Sequence, residues 1–355
     1  MPAQVPDQEP MRIGVVGLVH SHVNWILNRA SDGDFELVGI AEPNTALAER
    51  YLKRYNLPLS LVYPSIEAML DATKPEAVTA FNTIRDHLEV VELCAPRGIH
   101  VMVEKPLAVN LGQALKMSRL AEKHKIHLLT NYETTWYGSH HYAMGLLQNE
   151  PSTFGDIRKV VVHDGHPGPK EIGVDPEFLE WLTDPYYNGA GALTDFGCYG
   201  ANLSTWLHQG VMPLEVVAVT QQIKPDVYPK VDDEATIILT YEKSQTIIQA
   251  SWNWNYSRKD IEIYTKGGFV KCHNASDISV MRSENEGVEE IKTPGLSAPY
   301  DDPFSYFMAV IRDKVKPGPH DLSSIENNLT VMAILQAAMT SAKQGKKFQL
   351  REPKQ

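Results

Sequence analysis

A carboxylate and an amine stand side by side at the end of a short apolar segment. Residues 99–103 are mostly apolar and rich in β-branched side chains, which predicts a buried strand, and Glu104, Lys105 and Pro106 follow it directly. Because ligands of an open parallel α/β sheet bind outside the carboxyl ends of its strands, we expect Glu104 and Lys105 to point into a crevice. A surface ion pair at a strand end is the alternative interpretation of these residues.

A second group of polar side chains follows a glycine-rich stretch, residues 188–191. A helix starting at about residue 192 would place Asp195, Tyr199 and Asn202 on one face, at positions i, i+4 and i+7. Such a face could be hydrated surface, but its neighbours are small and apolar, which predicts a largely buried helix. Because a buried aspartate and tyrosine need polar partners, we expect these three residues to contact a ligand.

The elements that must position these groups begin with an N-terminal βαβ unit. Residues 12–16 and 35–40 predict strands, and apolar residues at helical spacing predict a helix between them. The first strand ends at Gly17 and the second is followed by Glu42. Strand, glycine turn, helix, strand and acid is the order of a dinucleotide-binding unit, in which the acid binds the adenosine ribose hydroxyls. A solvated surface glutamate is the less favoured interpretation of Glu42.

The glycine fingerprint of this unit is incomplete. Gly17 occupies the first glycine position, whereas Val19 and His22 occupy the other two. This pattern predicts either a looser approach of the backbone to a pyrophosphate or a pyrophosphate held partly by side chains. The cofactor-binding residues predicted in this turn are Gly17, Val19, His20, Ser21 and His22.

The alternation of elements divides the chain into two predicted domains. Strands and helices alternate up to residue 130, which predicts a parallel, doubly wound sheet, whereas consecutive strands dominate from residue 157 to 292. The predicted fold is an α/β Rossmann dinucleotide-binding domain, residues 11–130, followed by an α+β domain with a large, mainly antiparallel sheet, residues 131–355. We expect residues 1–10 to be a disordered leader and the C-terminal helix to pack back on the first domain.

Composition excludes several classes of protein. The net charge of −11 argues against nucleic-acid and anionic-membrane partners, which require clustered lysine and arginine. Three widely spaced cysteines form no disulfide framework, and no apolar run approaches the length of a membrane span. We therefore expect a cytoplasmic enzyme with a small-molecule substrate, although residues 1–10 could also be what remains of a trimmed leader.

Histidines occur in three close pairs, which raises the question of a metal site. No cysteine accompanies them and no H-E-x-x-H motif is present, so we expect no metal. His166 lies in a loop rich in glycine and proline that can approach a ligand closely. A contact with a substrate hydroxyl and an ordinary loop histidine are equally good interpretations of His166.

Taken together, these motifs resemble the Gfo/Idh/MocA family of NAD(P)-dependent oxidoreductases, which includes glucose–fructose oxidoreductase and inositol dehydrogenase. The resemblance covers residues 11–350. It is carried by the run Val103-Glu-Lys-Pro-Leu107, the His87 segment, the glycine-rich approach to Asp195-Phe-Gly-Cys-Tyr199, and the late Asp321-Leu-Ser-Ser segment. It implies a Rossmann domain, a substrate domain containing a sheet, and sugars or polyols as common substrates.

The resemblance also implies roles for individual residues. Lys105 would be catalytic, Glu104 would neighbour the cofactor, and Asp195 and Tyr199 would face the substrate. Trp181 falls where the family often has a Trp-Arg pair that contacts the cofactor, although Leu182 replaces the arginine here. The remaining cofactor contacts taken from the family pattern are Asn82, where the family has Thr-Pro-Asn, and His87. Members commonly form homodimers or homotetramers, and many have histidine where this chain has Tyr199.

The predicted chemistry is oxidation of a secondary alcohol of a sugar, polyol or related molecule, or the reverse reaction. Burial can lower the pKa of a lysine from about 10.4 towards 7–8, so Lys105 could accept the hydroxyl proton while Tyr199 relays or donates one. Glu42 would repel a 2′-phosphate, so we expect NAD rather than NADP. Two alternatives remain open: transient use of tightly bound NAD for elimination or epimerisation, and a non-catalytic NAD-binding sensor.

Overall fold

The computed structural model describes residues 9–350. Most of the predicted leader, residues 1–8, lies outside the described part of the chain, as do residues 351–355. Residues 9 and 10 are exposed and belong to no helix or strand.

The N-terminal half forms a six-stranded parallel sheet with the strand order β3-β2-β1-β4-β5-β6. This is the order of a Rossmann fold, in which a ligand binds where the strand order reverses, beside β1 and β4. The strands are β1 (Met11–Val16), β2 (Phe35–Ala41), β3 (Val62–Tyr63), β4 (Ala77–Ala80), β5 (His100–Glu104) and β6 (Leu128–Asn131). The helices that connect them are α1 (Val23–Asn28), α2 (Thr45–Tyr55), α3 (Ile66–Thr73), α4 (His87–Cys94) and α5 (Leu111–His124).

Local sequence explains where three of these helices begin. The side chains of Asn44, Ser65 and Asn110 each accept a hydrogen bond from a backbone N–H in the first turn of α2, α3 and α5. Such N-caps satisfy donors that a helix leaves unpaired. In contrast, α1 begins without a side-chain cap, since Ser21 does not occupy the N-cap position that its residue type favours.

The second half forms a nine-stranded sheet with the strand order β14-β13-β12-β11-β7-β10-β9-β8-β15. All neighbouring strands in it are antiparallel except β7 and β10, which are parallel. The strands are β7 (Ile157–Gly165), β8 (Glu215–Gln221), β9 (Glu234–Thr240), β10 (Gln245–Ser251), β11 (Arg258–Thr265), β12 (Phe269–Cys272), β13 (Asp277–Met281), β14 (Glu289–Lys292) and β15 (Phe348–Gln349). The predicted fold class is confirmed.

The helices of the second half lie before, between and after these strands. They are α6 (Gly138–Asn149), α7 (Pro151–Phe154), α8 (Pro176–Leu182), α9 (Pro185–Asn188), α10 (Ala192–Asp195), α11 (Gly197–Leu207), α12 (Pro303–Ile311) and α13 (Ile325–Gln344). One of them, α11, is buried along nearly its whole length and packs against α13, β10 and β7. No helix of residues 9–350 is long and apolar enough to span a membrane.

Two late helices pack against the first half of the chain. Phe304, Phe307 and Val310 of α12 belong to the same apolar cluster as Ile13 and Leu37 of the first sheet. Helix α13 contacts α5 and β6 as well as α11 and β8. The C-terminal residues therefore tie the two sheets together and fix the crevice between them.

One helix differs from its prediction. The helix expected from residue 192 onward is broken at Phe196, so that Asp195 ends α10 and Tyr199 lies in the first turn of α11. Of the three polar residues predicted on one face, Asp195 and Tyr199 line one cavity, whereas Asn202 does not.

Candidate active site between the two sheets

The turn after β1 lies against the end of β4. Gly17 has a φ of +78°, and a Cβ atom on it would lie 2.8 Å from the backbone of Asn82. Only glycine combines this conformation with so close an approach. The turn is held further by two backbone hydrogen bonds, from Gly17 to Ala41 and from His20 to Phe81.

Glu42 closes the other side of this turn. Its Oε2 atom accepts a hydrogen bond from the Leu18 N–H at 3.0 Å, and its Oε1 atom accepts one from the Asn44 N–H at 2.9 Å. Burial raises the pKa of Glu42, and the two backbone donors oppose that effect. Each oxygen keeps a second lone pair for a hydroxyl donor.

A cavity of about 340 Å³ opens at the carboxyl ends of β1, β2 and β4. Gly17, Val19, Glu42 and Asn82 line it. The side-chain carbonyl oxygen of Asn82 is buried and has no hydrogen-bond partner among residues 9–350. A glycine turn, an acid and an unpartnered amide oxygen at the switch point of the sheet fit the adenosine half of a dinucleotide.

Beyond this cavity, His20 and His22 lie beside Glu104. The His22 Nδ1 atom is 2.9 Å from Glu104 Oε2, and Asn131 donates to Glu104 Oε1 at 2.8 Å. Burial alone would raise the pKa of Glu104, but His22, His20 and the two hydrogen bonds lower it to about 2. Glu104 is therefore a buried carboxylate beside the His20–His22 turn, and its role as a neighbour of the cofactor stays a prediction.

Two groups of side chains bring possible metal-ligand atoms within 4.8 Å of one another. They are His20, His22 and Glu104, and His163, Asp260 and Glu262. In the first group, direct hydrogen bonds already join His22 to Glu104 and the His22 backbone N–H to His20 Nδ1. The absence of a metal stays a prediction.

Lys105 and Asp195 form the central ion pair of the molecule. The Lys105 Nζ atom lies 2.5 Å from Asp195 Oδ1 and donates to the Asp195 backbone carbonyl at 3.0 Å. Trp252 Nε1 donates to the other carboxylate oxygen of Asp195 at 3.0 Å. Lys105 and Asp195 are 6% and 5% exposed, so this is a buried pair with its partners fixed and not the surface ion pair that the sequence also allowed.

The charge state of Lys105 differs from its prediction. Burial alone would lower the pKa of Lys105, but the Asp195 carboxylate outweighs burial, and the pKa is raised above its ordinary value. The pKa of Asp195 is lowered against the effect of burial, mainly by Lys105. The expectation of a lysine pKa near 7–8 is therefore wrong, because the Asp195 carboxylate contacts the amine directly and outweighs burial.

A larger cavity, of about 660 Å³, is lined by Lys105, Asp195 and Tyr199 together with the His20–His22 turn. The Tyr199 side chain is buried, and its ring centre lies 5.1 Å from Lys105 Nζ. Burial raises the pKa of Tyr199 well above its ordinary value, with a smaller contribution from Glu133, so its hydroxyl keeps its proton. Lys105 and Tyr199 therefore face this cavity as proton donors.

His166 lines the same cavity from the loop after β7. Its ring stands edge-on to Phe196 with centroids 4.9 Å apart, and its Nδ1 atom accepts the Gly168 N–H at 2.9 Å. Burial lowers the pKa of His166, which favours the neutral ring. The Nε2 atom makes no hydrogen bond to any residue in the range 9–350 and is the part of His166 available to a ligand.

Like Glu104, three other predicted site residues line neither this cavity nor the smaller one. Asn202 is fully buried and donates its amide to the Leu322 carbonyl at 2.8 Å, so it joins α11 to the segment before α13 and does not line the cavity. His87 is buried with its Nδ1 atom 3.1 Å from the Leu107 carbonyl, which supports the turn after Lys105. Trp181 donates its indole N–H to the Val19 carbonyl at 3.1 Å and so packs against the turn after β1.

Several residues that line the larger cavity were not predicted from the sequence. Lys259 on β11 pairs with Glu133, and the Tyr137 hydroxyl donates to Glu133 Oε1 at 2.6 Å. The only signal was the polar, aromatic character of residues 132–137, which interrupts the regular pattern of the first domain. No signal in the sequence indicated that Lys259 belongs to the site, since a charged residue in an alternating strand is expected on the solvent side of the sheet.

Two family models match the chain. Residues 11–132 match the model described as oxidoreductase family, NAD-binding Rossmann fold (GFO_IDH_MocA), and residues 150–271 match that of the GFO/IDH/MocA C-terminal domain. The chain is 24% identical over 233 residues to trans-1,2-dihydrobenzene-1,2-diol dehydrogenase of Sus scrofa. That match covers 65% of this chain and 64% of the length of the relative, which is less than two thirds.

Solved structures share the whole architecture. An inositol dehydrogenase homolog from Azotobacter vinelandii, complexed with NAD+, has a TM-score of 0.81 at 15% identity over 96% of this chain and 98% of that one. The aldose–aldose oxidoreductase from Caulobacter crescentus, complexed with glycerol, has a TM-score of 0.80 at 18% identity over 96% and 100% of the two chains. At these identities the likeness shows the fold.

Proposed function

Because the chain belongs to the Gfo/Idh/MocA oxidoreductase family, we propose that it is an NAD-dependent enzyme transferring a hydride between nicotinamide and a secondary alcohol or ketone carbon. The observation that carries the proposal is the buried pair of Lys105 and Asp195 in the cavity between the two sheets. A donor fixed in this way can exchange a proton with the reacting oxygen.

The substrate we propose is a sugar, a polyol or a related small molecule. The cavity wall alternates cationic donors with carboxylate acceptors, which suits hydroxyl groups that both donate and accept. The names of the relatives support the same class, since one is a diol dehydrogenase and another an inositol dehydrogenase homolog.

The cofactor residues we propose lie along the edge of the first sheet. Gly17, Val19, Glu42 and Asn82 line the smaller cavity, where the adenosine half would bind, and His20, Ser21 and His22 lead from there to the larger cavity. NAD(H) bound along this edge would supply or accept the hydride. Glu104 contacts the turn after β1 through His22. Trp181 contacts the same turn through the Val19 carbonyl.

In the direction of reduction, Lys105 is the proton donor that we assign to the carbonyl oxygen. Asp195 keeps Lys105 in its ammonium form, and the two hydrogen bonds to Lys105 fix the direction of the Nζ atom. The Tyr199 hydroxyl offers a second donor to the same oxygen. Both donors act in a buried setting, where a hydrogen bond to developing negative charge is stronger than in water.

In the direction of oxidation, the substrate hydroxyl must lose its proton. Lys105 can accept it only after releasing its own proton, because the pair with Asp195 holds the ammonium form. The resting enzyme therefore already holds the proton that ketone reduction requires, whereas oxidation begins with the loss of that proton.

The test is a screen of sugars, polyols and keto-sugars with NAD+ and NADH, followed at the nicotinamide absorbance. We expect steady turnover with at least one member of these classes. Product formation without net change in NADH would instead indicate transient use of the cofactor. Tight NADH binding without any product would favour the non-catalytic sensor.

A further inference from the structure

A second ammonium–carboxylate pair lines the same cavity as Lys105 and Asp195. Lys259 Nζ contacts Glu133 Oε2, while the Tyr137 hydroxyl donates to the other oxygen of Glu133. The side chain of Lys259 is 20% exposed and that of Glu133 is 34% exposed, compared with 7% and 6% for the first pair. The second pair is therefore the more accessible of the two to a small molecule in the cavity.

The backbone register explains why Lys259 faces inward. Lys259 on β11 pairs directly with Asp164 on β7 in antiparallel register, so both side chains lie on one face of the sheet. Asp164 is 1% exposed, and burial raises its pKa well above the ordinary value. Glu133, which contacts the Lys259 ammonium directly, is therefore the carboxylate that compensates the charge of Lys259.

Both ammonium groups face the same aromatic ring. Lys105 Nζ lies 5.1 Å and Lys259 Nζ 4.7 Å from the ring centre of Tyr199. The two nitrogens are thus separated by no more than the sum of these distances. A substrate fits within this upper limit when two oxygens on one six-membered ring each accept a hydrogen bond of about 2.9 Å from one of the nitrogens.

Lys259 and Glu133 have unused hydrogen-bonding capacity. Within residues 9–350, the hydrogen-bond acceptor of the Lys259 ammonium is Glu133, and an ammonium has three N–H donors. Each Glu133 oxygen has one donor in this structure and can accept another. A substrate hydroxyl could accept from Lys259 and donate to Glu133 at the same time.

We infer that Lys259 and Glu133 bind a second hydroxyl group of the substrate, beside the oxygen that reacts at Lys105. The inference rests on the proposed function and narrows its substrate class to cyclic diols and hydroxyketones over monofunctional compounds. A site that hydrogen-bonds a substrate hydroxyl discriminates against an analogue that lacks it. The effect is moderate here, since Lys259 and Glu133 are partly exposed and stay paired with each other.

The experiment compares the reduction of 2-hydroxycyclohexanone and cyclohexanone by NADH. We expect the unsubstituted protein to prefer the hydroxyketone by roughly a hundredfold in kcat/KM. Lys259→Met should reduce this preference by about tenfold or more, because kcat/KM for the hydroxyketone should fall further than kcat/KM for cyclohexanone. Glu133→Gln, which keeps the side-chain volume, should reduce the preference in the same direction.

Lys271→Met is the matched control. Lys271 pairs with the Glu262 carboxylate at 3.4 Å between the neighbouring strands β12 and β11, but it does not line the cavity. This variant should retain the full preference for the hydroxyketone.

Three results would overturn the inference. If Lys259→Met lowered kcat/KM equally for both ketones, Lys259 would have a structural role only. The absence of a preference in the unsubstituted protein would refute the second binding point while leaving the reductase assignment intact. Failure to reduce either ketone would count against the proposed function, and the inference would fall with it.

Discussion

Lys105 and Asp195 are 90 residues apart in the chain, yet Lys105 Nζ and Asp195 Oδ1 lie 2.5 Å apart. Lys105 follows the last residue of β5 in the first sheet, and Asp195 ends α10 in the second half of the chain. The contact therefore joins the two halves at the cavity and fixes the charge of the amine that faces it. Most of the predicted chemistry depends on this one relationship.

The first prediction concerns pH. Because the pKa of Lys105 is raised above its ordinary 10.5, its ammonium form persists through neutral pH. The kcat/KM for ketone reduction should then stay flat from about pH 6 to about pH 10 and fall only above that range. The kcat/KM for alcohol oxidation should rise with pH over the same interval. Initial rates in both directions, measured across this range, test the assignment.

Asp195→Asn provides the companion measurement. Without the carboxylate, burial is the dominant influence on Lys105 and lowers its pKa. The alkaline limb of the reduction profile should therefore move to lower pH in this variant. A profile that does not move would show that Asp195 is not what holds Lys105 in its ammonium form.

Tyr199 tests whether its hydroxyl takes part in the reaction. Tyr199→Phe keeps the ring that both Lys105 and Lys259 face but removes the donor, and it should lower kcat by about 10²-fold or more. Tyr199→His should restore part of the activity, with an acid limb near the imidazole pKa of about 6.5. Full activity of the Phe variant would make Tyr199 a packing residue.

A variant of Asn202 distinguishes a structural role of this residue from a role in substrate binding. Its amide is fully buried and donates to the Leu322 carbonyl, so Asn202→Ala should lower the free energy of unfolding by about 1–3 kcal/mol. The KM for the substrate should not change, because Asn202 does not line the cavity. Denaturant titration and steady-state kinetics measure the two effects. A raised KM with unchanged stability would return Asn202 to the substrate site.

Glu42 tests the choice of cofactor. Its carboxylate stands at the end of β2, where it would repel a 2′-phosphate, so NADH should bind more tightly than NADPH in a fluorescence titration. Glu42→Gln keeps the shape and one of the two acceptor oxygens but removes the charge, and it should narrow the difference in affinity between NADH and NADPH. Tighter binding of NADPH by the unsubstituted protein would contradict this prediction.

Local patterns were enough to predict most of the first sheet, but not its two-residue edge strand β3. The apolar runs of β1, β2 and β5 and the helix caps at Asn44 and Ser65 are properties of neighbouring residues, so the sequence displays them directly. The parallel pairing of β7 and β10 has no such signal, because about eighty residues separate the paired positions. Pairing direction over that distance is decided by packing and not by the residues of either strand.

The site residues also divide into those that local motifs predict and those that depend on the tertiary fold. Lys105 and Asp195 were identified by their motifs, but the direct contact that sets their charges arises only from the tertiary fold. Lys259 and Glu133 are 126 residues apart and lie in no recognisable motif, so nothing in the sequence connected them. The predicted homodimer or homotetramer also stays a prediction.

The most direct test of the account is the Lys105→Met variant in the assay that establishes turnover. Lys105 supplies proton chemistry, whereas the binding energy of the nucleotide is spread along the edge of the first sheet. The variant should therefore lose turnover while binding NADH with an affinity similar to that of the unsubstituted protein. If it kept more than about a tenth of the rate, a loss below about 1.4 kcal/mol in the barrier, Lys105 would not be the catalytic residue.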